Sequence, residues 1–253
     1  MDLLSSNQYI KFIELKRNEI PSFNHFPFNL PVVKTLNKLS FHPKVTYLVG
    51  ENGMGKSTLL EAIAVATGFN PEGGTFNFNF STYDSHSELD RYIKLVKGVN
   101  KPKDGFFLRA ETFYNVASNI EELDKEFAFG PPIIDSFGGV SLHKQSHGES
   151  FFATFLNRFI GNGIYILDEP EAALSPIRQL SMLSRIDELV HQNSQFIIAT
   201  HSPIIMAYPH SRIFEFTNDG IFETSLENTK HYSIMKQFFT DKERLLHHLF
   251  NQE

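Results

Sequence analysis

Lys56 and Ser57 are the residues best placed by type and spacing to do chemistry. They close the run Gly50-Glu51-Asn52-Gly53-Met54-Gly55-Lys56-Ser57-Thr58, which fits the phosphate-binding loop pattern G-x-x-x-x-G-K-[ST]. Glycines at 50, 53 and 55 let the backbone turn tightly and leave room for phosphate oxygens. The N–H groups of the loop, with the positive end of a following helix, form an anion nest. Lys56 brings a point charge to the β and γ phosphates, and Ser57 brings a hydroxyl for Mg²⁺. A Gly-rich turn with an accidental Lys-Ser would match the same pattern. The flanks favour phosphate: residues 45–49 are an apolar, β-branched strand, and residues 59–66 start a helix.

Two further strand tips carry polar groups. Gly163-Ile164-Tyr165-Ile166-Leu167 runs into Asp168-Glu169-Pro170. Asp168 is read as the metal-side carboxylate, acting through water, and Glu169 as the acceptor of a proton from attacking water. Alone, Asp-Glu-Pro is also an ordinary charged exit from a strand; the phosphate loop upstream selects the catalytic reading. Residues 194–200 form another buried strand, with His201 just past its end. A lone histidine is usually a surface or core residue. This one sits where ligands bind in open α/β sheets, and can donate to the γ-phosphate or the attacking water. Three tips then converge on one hydrolytic site.

The elements that position these tips follow from periodicity. Residues 9–16 alternate loosely and predict an antiparallel edge strand. A Pro- and Phe-rich loop over 21–31 feeds a second strand at Val32 and Val33. Residues 70–81 begin as a turn and then alternate Phe with Asn. Over 84–150 charges are interspersed, with helices expected at 86–97 and 115–127, a short strand at 105–109 and a loop at 135–147. This stretch reads as a mostly helical inserted lobe. Helix 148–160, strand 163–167, helix 175–191, strand 195–200, a short helix near 203–207, strand 212–216 and a helical tail over 231–250 follow. The alternation predicts an α/β phosphate-loop NTPase: a mostly parallel sheet, an N-terminal antiparallel β subdomain, and one domain over 1–253 carrying the lobe.

Composition narrows the classes. The chain has no cysteine, which excludes disulfides, thiolate zinc sites and thiol catalysis. Its net charge of −6 leaves no global basic footprint for nucleic acid. No apolar run approaches the ~20 residues of a membrane span, and the start lacks a charged-then-apolar signal pattern, so a cytoplasmic protein is expected. With 26 Phe and no Trp, Phe is expected to fill the core.

The order of motifs resembles a known class. The phosphate loop is followed by Ser146-His147-Gly148-Glu149, then by Leu167-Asp168-Glu169-Pro170-Glu171-Ala172-Ala173-Leu174-Ser175-Pro176, then by Ala199-Thr200-His201-Ser202-Pro203. This is similar to the ATP-binding-cassette class of ATPases. More narrowly, it resembles the stand-alone ATPases related to the heads of DNA-repair and chromosome-maintenance ATPases, and to the ATPase half of overcoming-lysogenisation-defect nucleases. Residues 105–111, 146–151 and the tail from Tyr232 extend the resemblance over nearly the whole chain.

The resemblance implies ATP and Mg²⁺ bound between two copies of the chain, head to tail. Ser146 and Gly148 match a signature segment that is usually Leu-Ser-Gly-Gly-Gln, so Ser146 would reach the γ-phosphate of the partner's ATP. Gln145, His147 and Glu149 depart from that pattern. An ordinary Ser N-cap with Glu three residues later accounts for the same residues. Ser175 stands where the class usually has an aspartate, and Glu111 is a candidate for the magnesium-ligating glutamine found between loop and signature. Phe23, Phe26 and Phe28 precede the loop where an adenine-stacking aromatic is expected, although each also reads as a core residue. ATP hydrolysis by a dimerising ATPase is the leading expectation, with DNA repair or defence as an implied setting. A transporter's nucleotide-binding subunit and an ATP-gated switch that binds DNA or a client protein are the alternatives.

Overall fold

The computed structural model describes residues 8–77, 87–126 and 131–250 of the chain. In order these form β1 (Ile10–Leu15), α1 (Pro31–Thr35), β2 (Lys38–Ser40), β3 (Val45–Gly50), α2 (Lys56–Thr67), β4 (Ile93–Lys97), β5 (Asp104–Arg109), α3 (Phe113–Glu126) and α4 (His147–Asn157). They continue with β6 (Gly163–Asp168), α5 (Pro176–His191), β7 (Gln195–Ala199), α6 (Pro203–Met206), β8 (Ser211–Thr217), β9 (Gly220–Thr224), α7 (Lys230–Thr240) and α8 (Lys242–Phe250).

The main sheet runs β5-β6-β7-β3-β8-β9. Its first five strands are parallel and β9 is antiparallel to β8. β3, β6 and β7 are buried at every residue, the pattern of strands covered on both faces. Their alternating side chains feed two cores. Val45, Tyr47 and Val49 join Met182 and Ile186 of α5 and Phe113, Val116 and Ile120 of α3. Leu48, Ile166 and Ile197 join Leu59, Leu60 and Ile63 of α2. The register sets Asp168 beside both Arg109 and Ala199, so the C-terminal tips of neighbouring strands open on one edge.

A smaller antiparallel sheet, β2-β1-β4, covers one face. Here β1 is the central strand, not the expected edge. Its second neighbour comes from 86–97, which forms a 3₁₀ turn at Glu88–Tyr92 and then β4, not a helix. The reason is visible in Ile93-Lys94-Leu95: Ile93 is buried and Lys94 exposed, a strand's period of two. Val32 and Val33 lie in α1, not in a strand; Pro31 at its first position starts that helix, and the second strand is Lys38–Ser40.

Within 84–150 the described residues carry two strands besides their helical segments, the expected one near 105–109 and β4. β4 belongs to the small sheet and β5 is an edge strand of the main sheet. Among the described residues the α-helices of this stretch begin at Phe113, and Phe151 and Phe155 of α4 enter the same core as Tyr165. The tail divides into α7 and α8, and the expected Phe/Asn alternation beyond Asn77 lies outside the described residues. Gln195, fully buried, joins the two sheets. Its Oε1 accepts from Tyr9 N and Ile10 N at 3.0 and 2.9 Å, while its Nε2 donates to Ile10 O and His42 O. A buried amide so satisfied is specific to this strand arrangement.

Candidate active site

The phosphate loop lies between β3 and α2, as its flanks predicted. Gly50 has φ 137°, and a Cβ there would lie 2.5 Å from Phe216 O, so no other residue fits against β8. Gly55, at φ 89°, is the N-cap of α2, with Val32 Cγ1 2.7 Å from where its Cβ would be. Lys56 is 4% exposed, and its Nζ donates to Gly50 O at 2.8 Å and Glu51 O at 3.0 Å. Burial pushes its ammonium pKa down, while Glu169, Asp168 and Glu171 pull it back up. Among the described residues this cation donates to carbonyls and makes no ion pair with a carboxylate, which suits it to an arriving phosphate.

Ser57 Oγ donates to Asp168 Oδ1 at 3.0 Å, joining the start of α2 to the tip of β6. A hydroxyl and a carboxylate at that separation could share one divalent cation. Among the described residues no cluster of three or more His, Asp or Glu forms a metal cage. Arg109, from the neighbouring strand β5, sets its Nε 3.5 Å from Asp168 Oδ2 and donates from Nη1 to Glu61 Oε2 at 2.7 Å. Burial raises the Asp168 pKa to about 6, with Arg109 and the Ser57 hydroxyl opposing the rise.

The sign of that shift gives a prediction for the magnesium-free protein. A carboxyl whose folded pKa is raised contributes stability that is full below its unfolded value and is lost as pH rises through about 6. Asp168→Asn, which cannot ionise, is therefore expected to raise the melting temperature by several degrees at pH 8. The gain should shrink as pH falls below 6. Differential scanning fluorimetry across that range checks it; a gain independent of pH would contradict the assignment.

Glu169 follows Asp168 with φ 49° and ψ 51°, a left-handed conformation unusual for a side-chain-bearing residue. The turn sends its carboxylate into the cleft formed by Phe26, Leu30, Asn52, Gly53, Gly55, Lys56, Ser57, Thr58 and Glu111, about 390 Å³ in volume. His201 Nε2 lies 3.3 Å from Glu169 Oε1. Burial, then the Lys56 charge, lowers the His201 pKa. The three strand tips are thus brought together.

Other expected residues are placed differently. Gly50, Glu51 and Met54 line a separate groove with Glu215, Phe216 and Lys230, and Glu51 Oε1 accepts from Lys230 Nζ at 3.0 Å. Ser146 and Gly148 are not among the residues lining either space. Glu149 Oε2 accepts from both Ser146 N and Ser146 Oγ, at 3.1 and 2.7 Å, so the capping arrangement is present. A Cβ on Gly148 would lie 2.4 Å from Ala173 O. Close packing of α4 on the loop after β6 thus requires glycine there within one chain. Phe28 is fully buried, but Phe26 is 60% exposed and faces the cleft, so Phe26 is not a core residue.

Sequence reasoning missed three site residues. Glu171 accepts from Thr200 Oγ1 at 2.7 Å and from His201 N at 2.5 Å, tying the loop after β6 to the one after β7. Arg109 was read only as the end of a strand; its place at a tip beside Asp168 was the available signal. His231, on α7, lies with its Nε2 3.0 Å from His201 Nδ1.

A mostly parallel sheet with a phosphate loop at one tip and His and Asp-Glu at the next two defines an α/β phosphate-loop fold of the cassette type. Residues 20–251 match the family described as AAA domain, and the chain belongs to that family. It is similar to the ATP-binding protein of a tungstate uptake system from Campylobacter jejuni, 27% identical over 217 residues, covering 80% of this chain and 64% of that one. It is also similar to an energy-coupling factor transporter ATP-binding protein from Methanospirillum hungatei, 27% identical over 209 residues, 78% of this chain and 50% of that one. The chain thus spans under two thirds of the length of these two relatives. Among solved structures, cbiO1 from Clostridium perfringens shares the fold with a TM-score of 0.53 and 16% identity, over 97% of this chain and 100% of that one.

Proposed function

We propose that the cleft binds ATP with Mg²⁺ and hydrolyses it by in-line attack of water on the γ-phosphate. The observation that carries this reading is the Ser57–Asp168 contact at 3.0 Å with Glu169 and His201 beside it. Ser57 and Asp168 would hold the metal, which when bound would offset the negative charge of the phosphates. Lys56 orients and neutralises the β and γ phosphates. Glu169 takes the proton from water, and His201 Nε2 donates to the γ-phosphate. Asn52, Gly53, Gly55 and Thr58 complete the phosphate side of the cleft. Glu111, from the loop after β5, also lines the cleft and would offer the metal a further carboxylate. The test is phosphate release with and without Mg²⁺; turnover unchanged by chelation would sink the reading.

Phe26 offers its ring to the base. Stacking of this kind contributes about 1–3 kcal/mol. Phe26→Ala is expected to raise the KM for ATP about tenfold while leaving kcat near wild type. Steady-state kinetics with ATP checks it, and an unchanged KM would leave the base to another partner.

The half-open cleft supports a second copy completing the site, with Ser146 of one copy meeting ATP held by the other. No helix among the described residues is long and apolar enough to cross a membrane. The named relatives favour a second reading, an ATP-binding subunit working with a membrane partner. Co-purification with a membrane protein would select it; ATP-dependent, salt-sensitive DNA binding would select a DNA-directed switch instead.

A further inference from the structure

The start of α7 is pinned against the phosphate loop. Thr229 is fully buried, and its Oγ1 caps the helix by accepting from Tyr232 N at 3.3 Å. Lys230 donates from its backbone to Glu215 Oε1 at 3.2 Å and from Nζ to Glu51 Oε1 at 3.0 Å. The next residue, His231, is thereby held with Nε2 3.0 Å from His201 Nδ1. From this geometry we infer that His231 is a positioning residue which fixes the tautomer of His201.

The argument is one of proton placement. Between two neutral imidazoles one nitrogen must donate. If His201 Nδ1 carried the proton, its Nε2 would present a lone pair to the Glu169 carboxylate 3.3 Å away. It could then donate to no phosphate. If His231 Nε2 carries the proton and donates to His201 Nδ1, His201 Nε2 keeps its own proton, facing Glu169 and the cleft. Among the described residues neither His231 Nδ1 nor His201 Nε2 has a hydrogen-bond partner, so what separates the two tautomers is the Glu169 carboxylate 3.3 Å from His201 Nε2, which favours an N–H there over a lone pair. Burial and the nearby Lys56 charge disfavour the imidazolium of both rings, and the positive end of α7 adds to this at His231. The effect parallels a second-sphere partner that orients a reacting imidazole, and rests on the reading of His201 as the γ-phosphate donor.

Nitrogen-15 spectra of histidine-labelled protein test this directly. Wild-type His201 is expected to be bare at Nδ1 and protonated at Nε2. His231→Ala should give a mixture of His201 tautomers and lower kcat about tenfold to a hundredfold, with KM for ATP within about twofold. His231→Gln, whose amide can still donate, should recover most of the activity. A wild-type His201 protonated at Nδ1 would overturn the proposal alone. So would wild-type kcat in His231→Ala while His201→Ala loses activity. Wild-type turnover in His201→Ala would overturn the γ-phosphate donor reading, and this inference with it.

Discussion

Glu169→Gln is expected to reduce ATP turnover about 10²- to 10⁴-fold while leaving ATP affinity intact. The glutamine fits the same space but cannot accept the water's proton. That removes roughly 3–5 kcal/mol of transition-state stabilisation. Binding survives because Lys56, Ser57 and Asp168 are untouched, and because a negative charge beside the γ-phosphate has been removed. The left-handed backbone at Glu169 would be kept, since it is imposed by the loop joining Asp168 to Pro170. A site that binds but does not hydrolyse should also trap whatever assembly ATP supports. Light scattering is therefore expected to show an ATP-dependent dimer in the variant and a transient one in wild type. Normal phosphate release by the variant would remove Glu169 from the role of base.

The parts of the molecule legible in the sequence are those governed by local chemistry or by continuous burial. Val45-Thr46-Tyr47-Leu48-Val49 and Gly163-Ile164-Tyr165-Ile166-Leu167 are covered on both faces, so an uninterrupted apolar run identifies each strand. The loop at 50–58 carries its own turn chemistry. The half-exposed elements were harder. In 93–97, Lys94 and Lys97 gave a charged texture that also fits a helix, and only pairing with β1 decides for a strand. Val32 and Val33 are β-branched, yet Pro31 and burial against the small sheet's core placed them in a helix. The missed site residues share a different cause. Glu171, Arg109 and His231 act across loops or from separate strands and helices, and His231 lies thirty residues beyond His201. No local pattern records such a meeting. Phe26 is legible as a candidate aromatic before the loop, but choosing it over Phe23 and Phe28 needs its exposure and its place in the cleft.

Lys56→Ala is expected to weaken ATP binding by at least about a hundredfold. The ammonium is almost wholly buried, and among the described residues its hydrogen-bond acceptors are Gly50 O and Glu51 O. Glu169 and Glu111 line the same cleft, and Asp168 and Glu171 act with Glu169 on the Lys56 ammonium. Without it, triphosphate would enter beside those carboxylates with no ammonium from the loop to offset its charge. Isothermal titration with a slowly hydrolysed ATP analogue measures the loss. The variant also orders events. If nucleotide glues two copies together, Lys56→Ala placed on Glu169→Gln should abolish the ATP-dependent dimer, because capture of ATP precedes assembly. A double variant that still dimerised with ATP would place the nucleotide contact driving assembly outside the phosphate loop. Unchanged affinity in the single variant would separate this loop from ATP altogether.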